Sequence, residues 1–105
     1  MKEIIINEKD VGKEFLEALE EVLKIRIQKR KVYSDTFLDD DMLFLKYQAE
    51  NKLKRLSMQM QNGELKELKE NTETAKDSAI DIVNYMIFLI CKINRGDRKW
   101  KANIF

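Results

Sequence analysis

The residues of this 105-residue chain whose types and spacing could do chemistry are carboxylates. Asp77, Asp81 and Asn84 fall at i, i+4 and i+7 of an apolar-rich run, the spacing that lines side chains along one strip of an α-helix, with Glu73 one turn earlier. Like charges at i and i+4 repel and Asp is a poor helix former, so the pair needs a compensating partner. Asp77 has a local alternative, because three residues after Thr74 it can complete a capping box. Asp81 lies between Ile80 and Ile82 in the helix interior, and is read either as a solvated position or as a ligand or metal contact. Paired carboxylates on one helix, with an acid from a facing helix, offer the oxygen ligands that hard Mg²⁺ takes, leaving positions for water and phosphate oxygens. Glu50 is the candidate facing acid; the competing use for it is an exposed i, i+4 pair with Lys54. Lys52 and Arg55 flank the apolar stripe of the same segment, either solvated or placed to meet a phosphate or an oligomer neighbour.

Composition leaves these acids to carry any acid–base or metal chemistry. The chain has no His, which excludes a Ser-His-Asp or Cys-His nucleophile and any His-ligated zinc within one chain. Its single cysteine, Cys91, sits in an apolar run and reads as a small buried hydrophobe in a reducing compartment. With 20 Lys+Arg against 19 Asp+Glu the net charge is +1, which argues against a duplex-coating protein. The charge is nevertheless clustered. Lys24, Arg26, Lys29, Arg30 and Lys31 carry no acid among them, and Arg95, Arg98, Lys99 and Lys101 stand against Asp97 alone at the other end, whereas Asp39, Asp40, Asp41, Glu70, Glu73, Asp77 and Asp81 make the middle acidic. Such opposed clusters suit a small anionic ligand held through metal and cations together. The longest apolar stretch, Tyr85 to Cys91, is far short of the ~20 residues that cross a bilayer. Met1 to Ile6 lacks the apolar core and cleavage site of a signal peptide, so a cytoplasmic protein without membrane contact is expected.

The elements that must position these residues are helices. No proline, only 3 glycines and 37% charged residues favour long uninterrupted helical segments. In the first, from an Asp10 cap to about Lys31, Val11, Phe15, Ala18, Val22 and Ile25 recur at helical spacing, widened by Leu16, Leu19 and Leu23. Residues 32–40 break the period and read as a loop ending in an aspartate cap. The second segment runs to about Gln61 with Met42, Leu45, Ala49, Leu53, Leu56 and Met60 as its stripe, and Asn62-Gly63 supplies a stop. The third begins between Thr72 and Ala75 and ends near Asn94, with an inner stripe of Ala75, Ala79, Ile82, Met86, Leu89, Ile90 and Ile93 opposite the acidic strip. From Tyr85 to Ile93 it is apolar almost all round, and a helix of that kind must be buried all round, either by an oligomer neighbour or by the tail from Asp97 to Phe105, with Trp100, Ile104 and Phe105, folded back over it. The expected fold is all-α: a single domain over residues 1–105, with an arm at 1–9, a tail at 95–105, and three main helices in an antiparallel bundle completed by oligomerisation.

Three runs, KRKVYSDTF (29–37), KLKRL (52–56) and KDSAIDIVNY (76–85), resemble the nucleotide-modification-associated domain family, which belongs with phage and bacterial all-α proteins related to MazG-like nucleotide pyrophosphatases. The likeness covers about Ile27 to Lys92. It implies loop roles for Tyr33 and Phe37, a basic pair in Lys52 and Arg55, and a polar strip of Asp77, Asp81, Asn84 and Tyr85. The chain departs from the family at Val32, where the family has Asp, at Ser34, where it has Gly, and at Lys76, where it has an acid. The wider superfamily holds Mg²⁺ with two acids on each of two helices, whereas the second segment here offers Glu50 alone unless Asp39, Asp40 or Asp41 contributes.

Two functions compete on this scaffold. One is a Mg²⁺-dependent (d)NTP pyrophosphohydrolase in which Glu50, Asp77 and Asp81 hold the metal, Lys52 or Arg55 neutralises phosphate charge, and Tyr33 or Phe37 stacks the base, with the site between helices or at a subunit interface. The other is a non-catalytic nucleotide-binding protein, such as a phage protein that sequesters a signalling nucleotide. A third expectation is a helical protein whose Tyr85–Ile93 surface meets a different protein.

Overall fold

The computed structural model describes residues 3–61 and 74–96. Among them the chain forms four α-helices, one 3₁₀ turn and no strand: α1 (Glu8–Val11), α2 (Lys13–Tyr33), the 3₁₀ turn (Thr36–Asp39), α3 (Met42–Gln61) and α4 (Ala75–Asn94). The Asn62-Gly63 stop, Glu64 to Glu73 and the tail from Asp97 lie outside the described residues. The molecule divides into two compact units, Met1–Ser34 and Asp35–Phe105.

In the first unit the single helix expected from Asp10 is broken. Gly12 takes φ 90° and ψ 147°, a conformation nearly reserved for glycine, because a Cβ would crowd the neighbouring carbonyl. Nothing stands within 4 Å of a Cβ built there, so the demand for glycine comes from the backbone and not from lack of space. The Gly12 N–H closes α1 on the Glu8 carbonyl and its own carbonyl accepts from Leu16, so one residue ends one helix and starts the next. The buried side of α2 is centred on Val22, with Leu16, Leu19 and Ile25 half-buried; Phe15 and Ala18 of the expected stripe are exposed. Two overlapping apolar stripes satisfied the same 3.6-residue period, and the packed one is the 16–19–22 line.

The second unit is a hairpin of α3 and α4 with the 3₁₀ turn against α4. Asp41 starts α3: its carboxylate accepts the Leu43 N–H at 2.7 Å and its carbonyl accepts from Leu45. The cap is thus one residue beyond the loop expected to supply it. Thr74 and Asp77 start α4 with a reciprocal capping box, and Gly96, at φ 82°, follows its last turn. Contacts of Gln59 with Ser78 and Lys52 with Asp81 show that the two helices run antiparallel.

On both helices the packed line follows the expected apolar stripe only in part. On α3 the line facing α4 is Met42, Leu45, Ala49, Lys52, Leu56 and Gln59, while Leu53 and Met60 stand 53% and 57% exposed. On α4 Ala75 and Ser78 are buried and Asp81, Ile82, Tyr85 and Leu89 half-buried, whereas Met86, Ile90 and Ile93 of the expected inner stripe are exposed. Of the supposed outer strip, Asp81 is half-buried and Asn84 buried, while Asp77 stays exposed. The reason lies in the partners: Ser78 is completely buried and donates to the Gln59 amide oxygen at 3.0 Å, a bond only the seam can supply. Ala49, Ala75 and Ser78 are also small enough for the backbones to approach there. Among the described residues no buried side-chain nitrogen or oxygen lacks a partner, so this polar seam is fully satisfied.

Candidate functional site

The polar seam of the hairpin gathers most of the chemically interesting residues. Near its middle Lys52 Nζ lies 3.0 Å from Asp81 Oδ2, with side chains only 21% and 15% exposed. The compensating partner demanded by a mid-helix aspartate is thus a lysine on the facing helix. At this depth the pair is partly desolvated, and neither member can be removed without leaving the other charge half-buried and unmatched.

The other proposed metal ligands do not join Asp81. Both Asp77 roles in the capping box are filled: its Oδ2 accepts from the Thr74 backbone N–H at 3.1 Å and its own N–H donates to Thr74 Oγ1 at 3.1 Å, with Thr74 Oγ1 also donating to Oδ2 at 2.9 Å. Glu50 sits on the exposed side of α3 and pairs with Lys46 at 3.3 Å, four residues earlier and not four later as expected. Asp39, Asp40 and Asp41 also fail to supply a fourth acid to the seam. Together with Leu38, Met42, Lys92 and Arg95 they line a separate cavity of about 310 Å³. The eleven helical steps along α4 from Asp81 to Lys92 span about 16 Å. Among the described residues no group of three or more acids or thiols could hold a metal ion. As it stands, the seam offers Mg²⁺ one carboxylate, already paired.

Aromatic groups follow one and two turns further along α4. Phe37, half-buried on the 3₁₀ turn, stacks on Phe88 with ring centroids 4.1 Å apart and planes 12° apart. Tyr85 meets the same Phe88 edge-on at 6.0 Å. Phe88 therefore links two of the expected nucleotide contacts, and only its place one turn after Tyr85, in an otherwise aliphatic stretch, signals this in the sequence. Asn84 is buried and its amide donates to the Ile80 carbonyl one turn back, at 3.2 Å. Arg55 lies one turn after Lys52 on α3 and is exposed. Tyr33 ends α2 in the other unit, where it is exposed.

Sequence reasoning missed the second polar cluster. Lys92 is 95% buried yet ionisable, and its ammonium donates to the Leu38 carbonyl at 2.8 Å, with Arg95 Nη1 reaching the same oxygen at 3.4 Å. These bonds fasten the 3₁₀ turn to the end of α4, and so fix Phe37 against Phe88. The basic residue inside the YMIFLICKI run was the available signal, since a lysine amid apolar residues needs an acceptor.

Among the described residues no helix is long and apolar enough to cross a membrane. No protein-family model, curated protein or solved structure matches this chain, so what places it is its all-helical fold and the polar α3–α4 seam.

Proposed function

We propose that this chain is a nucleotide-handling protein that takes its ligand at the α3–α4 seam and binds it without turnover. The observation that carries the reading is the convergence of three separated runs of sequence. Lys52 of KLKRL meets Asp81 of the Asp-x-x-Asn-Tyr run at 3.0 Å, and Phe37 of the Ser-Asp-Thr-Phe run stacks on Phe88, one turn beyond Asn84 and Tyr85. A nucleotide needs cations for its phosphates and an aromatic surface for its base. Lys52 and Arg55 supply the first, and Phe37, Phe88 and Tyr85 the second.

The backbone at Ser34 adds support for the resemblance to the nucleotide-modification-associated domains. Its φ of 54° and ψ of −138° form a conformation that glycine adopts with least strain, at the position where that family carries glycine. Binding is favoured over pyrophosphohydrolase activity because Asp77 and Glu50 are occupied at a helix cap and a surface ion pair. Mg²⁺ enters this proposal only through the ligand: a phosphate that draws Lys52 away leaves Asp81 free to meet the metal such a phosphate carries. The proposal takes the protein as a cytoplasmic homo-oligomer, in a phage or bacterial setting.

Calorimetry with nucleoside mono- and triphosphates, deoxynucleotides and cyclic or short oligonucleotides, with and without Mg²⁺, tests this directly. Expected is binding of at least one class, weakened about tenfold or more (1.4 kcal/mol) by Lys52→Met, with no diphosphate released. Absence of binding across the panel sinks the nucleotide reading. Diphosphate release that disappears in Asp81→Asn replaces binding with hydrolysis.

A further inference from the structure

The hairpin buries a mixed seam of apolar and polar residues and leaves an apolar line of α4 outside. Along α4, Val83, Met86, Ile90 and Ile93 follow one another at steps of three, four and three, the spacing of a helix-packing seam, and all are 40–58% exposed. Ile87 borders them. On α3, Leu53 and Met60 are seven residues apart and so share one side of that helix. Measured from each helix's buried line, Leu53 and Met60 on α3 and Met86 and Ile93 on α4 are displaced in the same rotational sense. In an antiparallel pair, which is related by a two-fold axis, equal rotational displacement means the same face. The six side chains therefore form one surface of the hairpin.

We infer that this surface is where a second copy of the chain packs, hairpin against hairpin, to make a four-helix dimer. Three observations point to a second copy and not to a charged partner. The α4 seam from Val83 to Ile93 presents no formal charge on the exposed line, so a charged partner would find nothing to pair with. At its α3 border lie Lys46 and Glu50, one cation and one acid 3.3 Å apart, a pattern that is its own electrostatic complement when turned about a two-fold axis. The area also suffices. Two helices of 20 residues present a face about 30 Å long and roughly 20 Å wide. Two such faces in contact remove on the order of 1,200 Å² from water, which reaches the range of stable interfaces.

The dimer leaves the candidate site intact in each copy. Lys52 and Asp81 meet inside the seam and Phe37 packs on Phe88, while the Val83–Ile93 line lies on the other flank of α4. The site is then a property of one hairpin, not of the subunit boundary where the sequence suggested it would form. The inference deepens the oligomeric part of the proposed function and stands or falls independently of its nucleotide part.

Analytical ultracentrifugation of the full chain from 1 to 200 µM tests it, with helicity and melting followed by circular dichroism (concentrations chosen about the micromolar range usual for such interfaces). The wild type is expected to be dimeric. Ile90→Lys is expected to give a monomer, Ile90→Ala to weaken dimerisation at least tenfold without adding charge, and Tyr47→Lys, an exposed control away from this face, to leave the dimer unchanged. A wild type that stays monomeric at 200 µM overturns the inference, as does a dimer whose dissociation constant is unmoved by Ile90→Ala. Loss of nucleotide binding with the dimer retained would reject the proposed function and leave this interface standing.

Discussion

The two sides of α4 invert the usual rule for a surface helix. Its α3-facing side carries Ser78, Asp81 and Lys92, each with a partner, while the far side carries Val83, Met86, Ile90 and Ile93 in solvent. Burying a polar group is tolerable only when it is hydrogen-bonded, and such a seam adds little net stability over an apolar one. What it adds is register. Ser78 can meet Gln59 and Asp81 can meet Lys52 in one alignment of the hairpin only, whereas apolar stripes slide past each other at little cost. The comparison teaches that the inner face specifies how α3 and α4 pair, and the outer face holds the hydrophobic area that a small chain still has to bury.

The largest expected effect comes from breaking the inner face where it is tightest. Ser78→Leu overpacks a site with 0% exposure and orphans the Gln59 amide, so urea denaturation should show a loss of about 3 kcal/mol. Next in size is Lys52→Ala, expected to cost about 1–2 kcal/mol because Asp81 stays charged and half-buried, with the partial exposure of the pair holding the loss below that of a fully buried one. The double change Lys52→Met with Asp81→Leu should recover most of that loss in the same titration. If it does not, the pair contributes stability as well as register. Thr74→Ala removes the capping box that starts α4 and should lower stability by about 1 kcal/mol in thermal melts. The smallest change lies outside the hairpin and has the opposite sign: Ser34→Gly relieves a positive φ and should raise stability by about 0.5–1 kcal/mol, with the seam unaffected.

Much of the fold was legible in the chain. α4 starts and ends where Thr74, Asp77 and Gly96 say it should, because capping residues act on the nearest turn of backbone and need no tertiary help. Gly12 was overlooked because a single glycine within a periodic stretch costs a helix only about 1 kcal/mol, so whether it interrupts the helix is settled by its surroundings. At the site, Asp81 and Lys52 were both singled out, but as metal ligand and phosphate contact instead of each other's partner. Lys92 and Phe88 escaped notice because their roles depend on Leu38 and Phe37, more than fifty residues away in the chain.

By itself the sequence determined the helical class of the described residues, the ends of α4, and the lack of any histidine, since composition and local capping decide these within a few residues. Tertiary structure alone decided which side of each helix faces inward. Periodicity marks where apolar residues lie but not whether they meet their own hairpin or something beyond it, and a rotation of a few tens of degrees exchanges Leu53 for Lys52 at the cost of a few satisfied hydrogen bonds. That rotation turned two candidate ligands into an ion pair and left the apolar line of Val83, Met86, Ile90 and Ile93 facing outward.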